Sequence, residues 1–117
     1  MVNSKQKGSR GERECANLLK QYGIDSHRTQ QYCGNTGDAA DVTFPGFHTE
    51  VKFRETTAIW DWLCQAKRDA KEDETPIVVF RKSREKWHVC LEFEDFLTLL
   101  GYEKHLHCHA KSDTITE

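Results

Sequence analysis

Apolar residues are spaced at helical intervals in the first stretch of the chain, alternate with polar ones in the middle, and run together near residue 78. From Ser9 to Tyr22 they fall at Cys15, Leu18, Leu19 and Tyr22, the one-sided stripe of an amphipathic helix. Gly23 suits the C-terminal cap, and Ser9 with Glu12 has the spacing of a capping box. Residues 25–32, DSHRTQQY, allow a polar strand, and CGNTGD at 33–38 reads as a glycine-bearing loop. Strict alternation then predicts strands over 40–44 and 47–54 around the turn dipeptide Pro45-Gly46. A second helix is expected from Thr57 to Glu72, with Ile59, Leu63, Ala66 and Ala70 inward. Pro76 opens the unbroken run IVVF, typical of a strand covered on both faces. After the turn RKSREK, Trp87, Val89, Leu91 and Phe93 alternate as in a further strand, and EDFLTLLG forms a short helix that closes the core at Gly101. The order α-β-β-β-α-β-β-α implies an α/β (α+β) protein with a mixed sheet flanked by helices.

The hairpin carries the most information. Pairing around Pro45-Gly46 with Phe44 opposite Phe47 sets Val42 against Thr49 and Asp41 against Glu50. Val42, Phe44, Phe47, Thr49 and Val51 then make a core face, leaving Asp41, Thr43, His48, Glu50 and Lys52 on the other. A longer turn shifts the register but still leaves Asp41 close to Glu50. Two carboxylates opposed across a ladder repel each other, so a positive group is expected between them.

At 117 residues the chain has room for one domain with a real core, 1–117, with a basic arm over 1–8 and a poorly defined tail over 102–117. No apolar run approaches the ~20 residues of a membrane span, and the polar N-terminus lacks the apolar centre of a signal peptide. The expected location is cytoplasmic. The five cysteines are odd in number and lack CxxC spacing, so they read as free thiols, and Cys15, Cys64 and Cys90 as small hydrophobes inside regular elements. The net charge of −2 argues against nucleic acid until its distribution is considered. Residues 1–37 hold six Lys and Arg against three acids, and the head NSKQKGSRGER can act as a phosphate-contacting arm or as a solvated tail.

Asp41, Glu50 and Lys52 are the first candidates for chemistry. A charged hairpin face with a cross-strand ion pair explains them without function. A metal site explains them with it: Mg²⁺ is commonly held by one or two carboxylates plus phosphate oxygens. Such an ion polarises a phosphodiester and acidifies a water, and an ammonium two residues along can stabilise charge growing on phosphorus. Glu12 either completes the capping box or, lying on the stripe of Cys15 and Leu19, reaches the same ion. Glu14 lies off that stripe and is expected to face solvent.

KGSRGERE, followed by DV, a hairpin turn and EVK, resembles the PD-(D/E)XK nuclease superfamily, with most likeness to archaeal Holliday-junction resolvases and their small phage-encoded relatives. The similarity is strongest through Lys52; beyond it, QA on a helix, a buried strand and KWHVCLEF keep the expected order. The resemblance implies a restriction-endonuclease-like αβββαβ core and Mg²⁺-dependent hydrolysis of DNA phosphodiesters, with Mn²⁺ as substitute. It assigns Asp41 and Glu50 to the metal-binding carboxylates, Lys52 to the motif lysine and Glu12 to the helix glutamate of the resolvase branch. Ala40 stands where the motif's proline is usual. Asp38, in the GNTGD loop, is a rival ligand to Asp41. Gln65 resembles a helix glutamine placed beside the active site in some branches.

Lys5, Lys7, Arg10, Arg13, Arg28, Gln30 and Asn35 are the candidate DNA contacts, and Gly34 and Gly37 allow close backbone approach. The tail HLHCH puts His105, His107 and His109 on one face and Cys108 opposite; a closed zinc site needs a fourth ligand, such as Cys90 or His88, so the row reads as an edge strand or free tail. The sequence therefore points to a metal-dependent DNA endonuclease, structure-selective on branched DNA and homodimeric if it cuts junctions symmetrically. The alternatives are a flap, nicking or repair endonuclease, or a non-cleaving DNA-binding domain of this fold; RNA also stays open.

Overall fold

In the computed structural model, the described residues are 4–29 and 40–105. Six elements follow one another: α1 (Ser4–Gln21), β1 (Phe47–Phe53), α2 (Ile59–Asp69), β2 (Thr75–Arg81), β3 (His88–Cys90) and α3 (Phe93–Leu99). The sheet runs β1-β2-β3. β1 and β2 are parallel, with α2 as the crossover, and place Glu50 beside Val78 and Val51 beside Val79. β3 is antiparallel to β2 and pairs Val79 with Val89.

The two faces of the sheet are covered by different helices. Cys15 and Ala16 of α1 pack on Val42 and Val51, with Leu19, Val79 and Trp87 around them. On the other side Trp62, Leu63 and Ala66 of α2 pack on Val78, with Ile59, Phe80 and Cys90 beside them. This is why IVVF is apolar without a break: neighbouring residues point to opposite faces, and both are covered. On the polar face of the hairpin, α2 covers His48 and Glu50, each only 2% exposed, while Asp41, Thr43 and Lys52 are half-buried.

The hairpin register holds where it is formed. Val42 bridges Thr49 in antiparallel sense, and Gly46 at φ +88° makes the turn. The segment before the turn is otherwise an isolated bridge, not a strand, and residues 25–29 contribute only the Arg28–Val42 bridge.

α1 starts at Ser4, so the described part of the basic arm is helical, Ser9 lies inside the helix and no capping box with Glu12 exists. Its end is as expected: Ile24 N–H donates to the Leu19 carbonyl and Gly23 N–H to that of Lys20, with Gly23 at φ +85°. Tyr22 is 77% exposed and leaves the apolar stripe. α2 is shorter than its pattern, and β3 stops at Cys90, before Leu91 and Phe93. α3 buries no residue, so it does not close the core. No helix among the described residues is long and apolar enough to cross a membrane.

At Gly11, α1 packs directly against Phe53 of β1. A Cβ there would sit 3.0 Å from Cβ of Phe53 and 3.5 Å from Trp87, whereas one at Gly8 would meet nothing within 4 Å. Gly11→Val is expected to destabilise by about 2 kcal/mol or more through overpacking, while Gly8→Ala stabilises by up to about 1 kcal/mol through helix propensity. Thermal denaturation of the two variants should show opposite signs; equal effects would disprove the close contact.

Candidate active site

Asp41 is held by both its backbone and its side chain. Its N–H donates to the Thr49 carbonyl (2.8 Å), and its own carbonyl accepts from Thr29 N–H (3.0 Å). The ladder ends there, so the Val51 N–H on the free edge of β1 would lack a partner; the Asp41 carboxylate accepts it at 2.8 Å. Burial pushes the Asp41 carboxyl up to about 7, and the charges of Glu50 and Glu12 push the same way against the opposing Val51 N–H and Lys52. The same crowding reaches the core: burial, with Asp41 beside it, raises the Cys15 thiol to about 12, so it is inert.

Glu12 accepts a hydrogen bond from Arg28 Nε at 3.0 Å, and another Arg28 nitrogen lies 3.5 Å from the Ser9 hydroxyl. The structure thus brings Glu12 to the Asp41 side of the sheet as the stripe predicts, and engages Arg28 with a carboxylate.

His48, Glu50 and Lys52 follow one another on the face of β1 that α2 covers. At one end Lys52 Nζ donates to Gln65 Oε1 of α2 at 3.4 Å. In the middle His48 Nε2 lies 2.8 Å from Glu50 Oε2, with Glu74 3.8 Å from His48 Nδ1. Burial opposes a charge on His48, but the hydrogen bond to Glu50 and the fields of Glu50, Glu74 and Asp69 outweigh it and raise its pKa. Among the described residues, His48, Glu50 and Asp69 form a group whose ligand atoms all lie within 4.8 Å of one another. Asp41 and Glu12 stand outside that group, close enough to act on each other by charge.

Of the expected site residues, the fold gathers Asp41, Glu12, Glu50, Lys52 and Gln65 around the free edge of β1. The expected phosphate contacts are spread along α1: Lys7 pairs with Glu55, Arg10 with Glu14 at 2.9 Å, and Arg13 is exposed. Glu14 corrects its expectation of a solvent-facing residue. It accepts two bonds from the Arg81 guanidinium, at 2.8 and 3.1 Å, and Arg81 in turn stacks 4.1 Å over the Phe53 ring. Gly34, Gln30, Asn35, Gly37, Asp38, His107, Cys108, His109 and the Lys5 side chain lie outside the described residues.

His48, Asp69 and Glu74 were missed in the sequence. Only His48 left a signal, its place two residues before Glu50 on the same strand face.

Residues 3–116 match the model of a family described as "Phage putative PDDEXK endonuclease". The chain belongs to that family. It is thus a member of a nuclease family. No curated protein matches the chain significantly. Among solved structures it is similar to Hjc of Archaeoglobus fulgidus, a Holliday junction resolvase from an archaeal hyperthermophile. The identity is 18%, the match covers 72% of this chain and 76% of that one, and the TM-score is 0.51. That likeness shows the fold, a mixed three-stranded sheet with helices of the resolvase and restriction-endonuclease type.

Proposed function

We propose that this chain, as one catalytic domain over 1–117, hydrolyses DNA phosphodiester bonds with a divalent cation at Asp41 and Glu50, assisted by Glu12, Lys52 and Gln65. The observation that carries the reading is the crowding of carboxylates on Asp41. Burial, Glu50 and Glu12 raise its carboxyl to about 7 against the Val51 N–H and Lys52. Oxygen donors that repel each other in a partly dry site fit a hard cation.

Asp41 and Glu50 would hold the ion, with Glu12 reaching it directly or through water. Mg²⁺, or Mn²⁺ in its place, supplies Lewis-acid polarisation of the phosphodiester and a more acidic water. The protein does the rest. Val51 N–H fixes the Asp41 carboxylate, and Gln65 aims the Lys52 ammonium. From there Lys52 stabilises the phosphoryl oxygens as their charge grows, or holds the attacking water. Gln65→Ala is expected to lower the cleavage rate by up to about 100-fold through misplacement of Lys52, with DNA affinity nearly unchanged; equal losses in rate and affinity would make Gln65 a DNA contact instead.

Branched DNA is the proposed substrate class, since a structural neighbour is a Holliday junction resolvase. Symmetric cutting of a four-way junction needs two sites, hence a homodimer. The test is cleavage with Mg²⁺ or Mn²⁺ of a four-way junction, a flap, a linear duplex and single-stranded DNA, with EDTA as control. Paired nicks in the junction alone support the full reading. Cleavage of the other forms retains the nuclease and removes junction selectivity, and binding without cleavage of any form removes the nuclease.

A further inference from the structure

The group around His48 has features that the motif carboxylates do not explain. The imidazole is 2% exposed and lies between two carboxylates, Glu50 on Nε2 at 2.8 Å and Glu74 on Nδ1 at 3.8 Å. Histidines that ligate metals commonly turn their second nitrogen to a carboxylate, which fixes the tautomer and leaves the first nitrogen for the ion. Glu74 lies on that side, 3.8 Å from Nδ1, with its Oε1 held by the Lys71 N–H at 3.0 Å. On the other nitrogen, the 2.8 Å to Glu50 is close to the roughly 3 Å between neighbouring ligands whose bonds to a metal are ~2.1 Å. Asp69, exposed in the last turn of α2, completes a three-ligand group within 4.8 Å.

Charge and access agree. Glu50, Asp69 and Glu74 surround one imidazole, no lysine or arginine among the described residues pairs with Glu50, and Asp69 has only its neighbour Arg68, at 3.9 Å. A cavity of about 440 Å³, lined by Asp25, His27, His48, Asp69, Lys71 and Glu74 among others, opens onto His48 and Asp69 and gives an ion a way in.

We propose that His48, Glu50 and Asp69 form a second divalent-cation site, oriented by Glu74 and selective for Mn²⁺ over Mg²⁺. The selectivity follows from the mixed ligand set: Mn²⁺ takes carboxylates and, as a transition ion, also accepts an imidazole nitrogen, whereas Mg²⁺ takes oxygen ligands and keeps its waters. Glu50 is common to this site and to the one at Asp41, as a carboxylate is when it bridges two ions. The site stands on the group itself; its place beside a first catalytic ion rests on the nuclease reading.

The test uses the full chain, freed of metal and labelled with ¹⁵N-histidine, and reads Mn²⁺ binding by calorimetry and pulsed electron paramagnetic resonance. Two Mn²⁺ per chain are expected, one showing histidine-nitrogen coupling, and excess Mg²⁺ should displace only the other. His48→Gln should remove the coupling and one ion, and Glu74→Gln should weaken the coupled ion about 10–100-fold. Asp69→Asn, at an exposed position, should weaken the same ion and serves if His48→Gln fails to fold. Asp41→Asn should leave the coupling in place. One ion or none, no coupling, or coupling that survives His48→Gln overturns the site, and a folded His48→Gln that merely weakens an uncoupled ion makes His48 a positioning residue for Glu50. Junction cleavage with a single uncoupled ion would keep the nuclease without this site; two ions without cleavage would keep the site without the nuclease.

Discussion

Asp41→Asn is expected to reduce cleavage on the order of 10³-fold or more, and to make the metal-free protein more stable at pH 8. The first effect follows if Asp41 holds the ion, because losing a group that acts only in the assembled site costs rate on the scale seen for catalytic groups. The second follows from the environment of Asp41. Its folded pKa is raised from 3.8 to about 7, mainly by burial and then by Glu50. A group raised in this way contributes stability that is fully present below its unfolded pKa and is lost as pH rises through the folded value. Above pH 7 the wild type has therefore lost it. At ~1.36 kcal/mol per pKa unit, the loss is on the order of 4 kcal/mol as an upper bound. Asparagine stays neutral, and its carbonyl oxygen can still accept the Val51 N–H that Asp41 now accepts at 2.8 Å. Calorimetry in EDTA should show the variant more stable than wild type at pH 8, with the difference vanishing near pH 4. A variant less stable at pH 8 would mean that Asp41 serves the fold, and full cleavage would remove it from the site. Stability gained by dismantling a site is the usual sign of function held at a cost.

The parts of this fold that the sequence displays are those set by local chemistry. Pro45-Gly46 and the alternation on either side give the Val42–Thr49 pairing, and the unbroken IVVF announces a strand covered twice. Gly23 and Gly101, both at positive φ, end their helices where expected. What the sequence hides is set by distant partners. Alternation puts His48, Glu50 and Lys52 on one face without saying that α2 covers it, so a buried face looks like a solvated one. Ser9 and Glu12 have the spacing of a capping box, yet the helix begins at Ser4. Glu14 is off the apolar stripe of α1, but Arg81, far along the chain, folds back over Phe53 to reach it. The alternation from Trp87 to Phe93 imitates a longer strand, and only three of its residues pair with β2. The motif carboxylates were legible because their spacing on one hairpin is local; Asp69 and Glu74 were not, because α2 and the turn after it bring them to His48.

Stabilisation by Mg²⁺ is expected to be large above pH 7 and nearly absent at pH 5. An ion that binds only the folded chain adds about 2.7 kcal/mol at a concentration 100 times its dissociation constant. To bind it, Asp41 must be ionised, and in the metal-free protein its carboxyl titrates at about 7. Each pH unit below that value then costs about tenfold in apparent affinity for one displaced proton, so about 100-fold is lost by pH 5 and the stabilisation falls below 1 kcal/mol at the same Mg²⁺ concentration. The sign is opposite to that of the metal-free protein, in which Asp41 favours the folded state at low pH. Metal therefore shifts the most stable pH upwards, and the curves with and without Mg²⁺ should converge on acidification. Tm measured between pH 5 and 8 in Mg²⁺ and in EDTA gives both curves, and Asp41→Asn should show little Mg²⁺ effect at any pH. A Mg²⁺ shift independent of pH, or one retained in Asp41→Asn, would place the ion away from Asp41. If Asp41 holds the ion for cleavage, the rate should track the same titration.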